Sequence, residues 1–173
     1  MLYETETRLR FLENVGIAMM GAARTAPKGK GRDTLEISML SGKELEGVAA
    51  EMKKIAAEKN MPGFERDAGN VLASSFVVLI GTAIKPAGLA QCSMCGFANC
   101  GEKPAQVPCQ INTADLGIAI GSAVAAAADN RADCRVMYTI GQAALRMKLF
   151  GPSIAVAFGI PLSCTSKSPF FDR

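Results

Sequence analysis

At 173 residues the chain has the length of one domain, 1–173, long enough to bury a sizeable core. Histidine is absent, which excludes Ser–His–Asp and Cys–His nucleophile pairs and the zinc enzymes built on three His or two His and a Glu. The net charge of +3 is too weak to argue for nucleic acid, and six cysteines are too few for a disulfide-stapled scaffold of this length.

The spacing of Leu9, Leu12, Val15, Met19 and Ala23 predicts a helix from about Thr5 to Ala23, ended by Pro27, Gly29 and Gly31. Leu35–Met39 alternates apolar and polar side chains, as a half-buried strand does. Ser41 and Glu44 have capping-box spacing. They predict a second helix starting at Ser41, burying Leu45, Val48, Met52 and Ile55 and closed by Pro62-Gly63. Residues 75–82 read as a fully buried strand. A long helix is expected from about Thr113 to Ala128, with Gly117, Gly121 and Ala125 forming a smooth stripe. That stripe suits either close packing inside one subunit or a dimer interface. Asp133 would cap a helix running from Arg135 to Leu149, and Ile154–Phe158 would form the last strand before a tail rich in Ser, Pro and Phe. Strands alternating with helices place the chain in the α/β or α+β class, with both faces of a sheet covered. No signal-peptide pattern opens the chain. The apolar runs 71–84 and 111–128 end at Lys85-Pro86 or carry Asp115, so no membrane span is expected, and a reducing, cytoplasmic setting is the default.

Residues 86–111 differ in texture. They hold four of the six cysteines and Pro86, Pro104 and Pro108, with little periodicity. Cys92, Cys95, Cys100 and Cys109 have the spacing C-x2-C-x4-C-x8-C, and four thiolates in one loop can converge on one metal centre. Gly96 and Gly101 permit tight turns that bring backbone amides toward sulfur. Three readings compete. An iron–sulfur cluster, [4Fe-4S] or [2Fe-2S], suits the spacing, and its compactness favours the four-iron form. A structural zinc site more often pairs two C-x2-C knuckles, and only one is present here. Disulfides or space-filling thiols are the remaining choices.

The segment Cys92-Ser-Met-Cys95-Gly-Phe-Ala-Asn-Cys100 resembles the C-G-x-C-G-x-x-x-C stretch of small [4Fe-4S] domains in anaerobic electron-transfer and corrinoid iron–sulfur proteins, with Ser93 in place of Gly. Over nearly the whole chain the sequence resembles a prokaryotic family of ferredoxin-domain-containing proteins of unknown function (DUF2148-like). The shared motifs are A-A-R-T-A-P-K-x-x-G-x-D at Ala22–Asp33, the cysteine loop, D-L-G-I-A-I-G-S-A-V at Asp115–Val124, and the tail from Gly159 to Arg173. The resemblance implies a cluster, electron transfer with a redox partner, and no established reaction.

Arg24, Lys28, Lys30 and Arg32 fall within nine residues, interleaved with Gly29 and Gly31. Such a loop can hold an anion, although charge runs more often face water, and no phosphate-binding motif of the G-x4-G-K-[ST] type is present. The order of helix, Ala23-Arg-Thr-Ala-Pro27, strand and capped helix resembles the opening of flavin-dependent nitroreductases. The later helices, strand and Lys167 tail follow the same order. That resemblance implies an α+β sandwich with a central sheet flanked by helices, a homodimer, and an FMN site to which Arg24, Lys28, Lys30, Arg32 and Lys167 would contribute. Lys28 stands where those proteins carry Ser, and their following Asn is missing. Cys134 and Cys164 are expected as small buried or half-buried residues, Asp115 as a carboxylate at a helix start, and Tyr138 as core.

Overall fold

The computed structural model describes residues 1–171. Asp172 and Arg173, which end the tail motif, lie outside the described residues. One antiparallel sheet has the strand order β1-β2-β4-β3. Its strands are β1 (Leu35–Ser41), β2 (Phe76–Ala83), β3 (Asp133–Cys134) and β4 (Ile154–Ser163). Helices α1 (Glu4–Thr25) and α4 (Gln110–Asp129) cover one face. Helices α2 (Lys43–Lys59), α3 (Pro62–Leu72) and α5 (Tyr138–Arg146) cover the other. The expected sandwich with helices on both sides of the sheet is therefore present.

β2 lies inside the sheet, and its period-two pattern feeds both layers. Val77 and Leu79 join the core under α2, α3 and α5, while Phe76, Val78 and Ile80 join the core under α1 and α4. A strand buried on both faces reads as a continuous apolar run, as this one does. α5 presses close to β4 because Gly141 has no side chain; a Cβ there would run into the Ala157 carbonyl.

Several boundaries differ from the sequence reading. Ser41 ends β1, and Gly42, at φ 52°, precedes α2. The Glu44 half of the capping box is made, since the Ser41 N–H donates to Glu44 Oε2 at 3.0 Å, but no hydroxyl cap accompanies it. Pro62 does not close α2. Asn60 ends that helix in the left-handed region, and Pro62 opens α3, where its missing N–H costs nothing. α3 buries Phe64, Asp67, Ala68 and Val71. Asp67 is tolerated because Thr139 Oγ1 donates to it at 2.8 Å and Arg66 pairs with its other oxygen.

Asp133 is in β3 and does not cap a helix; α5 starts three residues later than expected, at Tyr138. Tyr138 is not core. It is half exposed, with its ring edge-on to Phe64. β4 runs on past Phe158 through Pro161. In register, Asp133 pairs with Ser163 and Met137 with Gly159, so Pro161 points its donorless nitrogen at Arg135, where the partner strand is interrupted.

α4 is long and apolar enough to cross a membrane by length and composition alone. In this fold it lies along α1 and buries Leu116, Ala119, Ile120, Ala123 and Ala127 together with the polar Asn112 and Asp115. Gly117 and Gly121 are exposed, and a Cβ on either would meet nothing within 4 Å, so close packing inside the subunit does not account for the stripe.

Candidate metal centre

Between β2 and α4 the chain runs through residues 84–109 without helix or strand, and its ends are fastened to the first turn of α4. The Lys85 N–H donates to the buried Asn112 Oδ1 at 2.9 Å. The Ala87 amide points at the Cys109 sulfur, and Cys109 is the residue preceding α4. Inside the loop, Ser93 and Gly96 adopt positive φ, and the Gly96 N–H closes a turn onto the Ser93 carbonyl at 3.0 Å. Ser93 Oγ donates to the Ala98 carbonyl at 3.1 Å. Asn99 Oδ1 accepts from the Gly101 and Glu102 amides at 2.9 and 3.2 Å, an Asx turn that ties down the chain around Cys100.

Cys92, Cys95, Cys100 and Cys109 all line one small cavity. The first three are half-buried and Cys109 is buried. No three Cys, Asp or Glu groups among the described residues converge closely enough to hold a single metal ion. Burial opposes ionisation of Cys109. The amides of Asn112, Ala87 and Ile111 and the charge of Lys103 outweigh it and hold the thiol below its ordinary pKa. Cys134 behaves in the opposite way: burial first, and then the Asp133 carboxylate, push its thiol up. Cys134 and Cys164 sit against the core beneath α1 and α4 and do not line the cavity.

The basic loop abuts the root of the cysteine loop. Gly29 packs against Ile111, and its N–H donates to both oxygens of Asp115 at 3.0 Å. Asp115 is thus not a helix-start carboxylate. It lies beyond the first turn of α4 and grips the loop. Lys30 Nζ donates to the Gly88 carbonyl and Arg32 Nη1 to the Ala87 carbonyl, each at 3.3 Å. Lys28 Nζ caps the end of α1, donating to the carbonyls of Ala23, Arg24 and Ala26 at 2.9, 2.6 and 2.8 Å. Arg24 pairs with Asp33 at 2.6 Å and also donates to the Leu35 carbonyl. Lys167 is exposed in the tail, and its carbonyl accepts from Thr165 Oγ1. The structure therefore brings Lys30 and Arg32 to the cysteine loop and directs Lys28 and Arg24 to local bonds.

The sequence reading missed Lys103. It is 8% exposed, lines the thiol cavity, and donates to the carbonyls of Pro104 and Val107 at 3.1 and 2.5 Å. A single cation inside the cysteine run, three residues after Cys100, was the available signal.

A family model described as an uncharacterized protein containing a ferredoxin domain (DUF2148) matches residues 105–173. An uncharacterized protein of Archaeoglobus fulgidus is 37% identical over 182 residues, covering 100% of this chain and 97% of that one. The chain belongs to the DUF2148 family. The stretch matched by the DUF2148 model contains Cys109, the Asp115 motif and the tail, and begins after the other three loop cysteines. Among solved structures, a nitroreductase with bound FMN from Desulfitobacterium hafniense is similar at a TM-score of 0.63 and 16% identity, over 93% of this chain and 83% of that one. The FMN-dependent nitroreductase NfnB of Mycobacterium smegmatis, in complex with NADPH, is similar at 0.61 and 11% identity, over 89% and 78%. This DUF2148 chain therefore has a nitroreductase-like fold.

Proposed function

We propose that the protein is a small electron carrier whose [4Fe-4S] cluster is held by Cys92, Cys95, Cys100 and Cys109. The observation that carries this reading is that these four cysteines line one small cavity, while Cys134 and Cys164 lie elsewhere. A tetrahedral zinc needs all its sulfurs about 2.3 Å from one point. A four-iron cluster takes each thiolate at a different iron, and four cysteines lining one cavity supply that number of ligands. Such a cluster, when bound, accepts and returns one electron. The chain's own part is to fix the thiolates and to direct amides at sulfur, as Asn112, Ile111 and Ala87 do at Cys109.

The largely exposed loop lies beside Lys30 and Arg32, which suits docking of an acidic redox partner. A homodimer is supported by the exposed apolar stripe Ala114, Gly117, Ile118, Gly121 and Ala125 on α4. The test is purification without oxygen, followed by visible spectra before and after dithionite with iron and acid-labile sulfide assays. A brown chromophore that bleaches, with about four irons and four sulfides per chain, is the expected result. Zinc without sulfide overturns it. Ser at any of the four loop cysteines should abolish the chromophore, whereas Ser at Cys134 or Cys164 should leave it.

A second reading, a flavin-dependent oxidoreductase, is favoured by the fold shared with FMN-bound nitroreductases. Lys28 does not fit a flavin phosphate in this arrangement because three carbonyls occupy its ammonium. Lys30 and Arg32 keep donors beyond their single bonds to the cysteine loop. Flavin released into the supernatant on denaturation would select this reading.

A further inference from the structure

Buried ammonium groups are rare unless an anion lies beside them, because a charge removed from water needs compensation. Lys103 is more than nine-tenths buried, yet forms no ion pair with a carboxylate among the described residues. Two of its three protons go to the Pro104 and Val107 carbonyls, and the third has no partner among the described residues. Its side chain lines the same cavity as all four loop thiols. The groups left to balance its charge are those sulfurs.

We infer that Lys103 is the charge-compensating residue of the thiolate centre, a positioning residue that fixes a positive charge beside that centre and makes its reduced state more accessible. This rests on the cluster reading above. Uptake of one electron adds a negative charge among the four thiolates. No bond breaks and no proton moves, and the electron comes from an external one-electron reductant. A fixed cation lining the cavity stabilises the more negative state more than the less negative one. The two carbonyl bonds explain how the cation is fixed: Lys103 closes the turn 103–107 on itself, and its ammonium must give up both bonds to withdraw to water.

The experiment uses the full chain, purified without oxygen, in wild-type, Lys103→Met, Lys103→Gln and Lys103→Arg forms. Iron and sulfide are assayed, and midpoint potentials are measured with dithionite as reductant. The neutral variants should shift the one-electron equilibrium toward the oxidised form by about tenfold or more, about 59 mV per tenfold. Lys103→Arg should stay near wild type. If Met and Gln fold, by circular dichroism, but lose the cluster while Arg keeps it, a required charge is again indicated. Neutral variants that load with unchanged potential overturn the inference while the cluster reading stands. Equal loss in all three variants overturns it too, because it assigns Lys103 to loop packing alone. A wild-type protein without iron and sulfide overturns the cluster reading and this inference with it.

Discussion

Asp115→Ala tests how the basic loop is held. Both oxygens of this carboxylate, 5% exposed, receive the Gly29 N–H at 3.0 Å. A hydrogen bond to a charged group contributes about 1.5–3 kcal/mol, and each 1.4 kcal/mol is about tenfold in population. Without it, the state in which residues 28–32 leave α4 should become about tenfold to a hundredfold more populated. The Lys30 and Arg32 bonds to the cysteine loop, at 3.3 Å, are too long to replace it. Trypsin cuts after Lys and Arg, so Lys28, Lys30 and Arg32 report the opening directly. Cleavage tracks the open population when reclosing outpaces cutting. The assay is limited tryptic digestion with cleavage sites read by mass spectrometry. Asp115→Asn, which keeps one carbonyl oxygen, should fall between. Cleavage in 28–32 that stays within about twofold of wild type in Asp115→Ala would refute the clamp.

Gly141→Ala should destabilise the fold by about 1–3 kcal/mol, lowering Tm by about 2–4 °C per kcal/mol, because the new methyl meets backbone and not a movable side chain; an unchanged melting curve would contradict the close approach of α5 to β4. Burial works against ionisation of Asp33, but the bonds from Arg24 and the Leu35 amide prevail and hold its carboxyl below the ordinary range. The folded pKa being the lower one, this stabilisation is present above the ordinary carboxylate range and is lost as pH falls through the folded value. Carbon-detected NMR titration of Asp33 should show a low midpoint that returns to normal in Arg24→Gln, and a normal midpoint in the wild type would dismiss the pair. If the proposed homodimer pairs through α4, Gly121→Arg should halve the mass seen by light scattering while the subunit stays folded by circular dichroism, since nothing within the subunit meets a side chain there; an unaltered mass would dismiss that interface.

Much of the fold could be read where one local signal acted alone. The apolar run of β2 and the spacing of Leu45, Val48, Met52 and Ile55 in α2 each had one interpretation. The reading failed where two signals competed. Pro62-Gly63 reads as the close of the second helix, although Pro is also a good first residue of a helix, and Asp67 breaks the apolar spacing of Phe64, Ala68 and Val71 that marks α3. Pro161 hid the second half of β4, because its tolerance depends on the interruption opposite it at Arg135, a long-range fact. At the site, the thiol spacing was legible as a group that could converge. The bonds that fasten the loops there were not: Asn112 takes Lys85 over 27 positions and Asp115 takes Gly29 over 86, pairs that only the fold brings together.

The start of α4 holds two other segments from three positions spaced by three residues. Cys109 receives the Ala87 amide, Asn112 takes Lys85, and Asp115 takes Gly29. Both feet of the long loop therefore stand on the same short piece of helix, a few residues apart, whatever path the chain takes between them. Residues gained or lost in the span between those feet change its arch and leave the sandwich beneath it undisturbed. The architecture separates a crest without helix or strand, which bears three of the four thiols, from a fixed footing that bears the fourth.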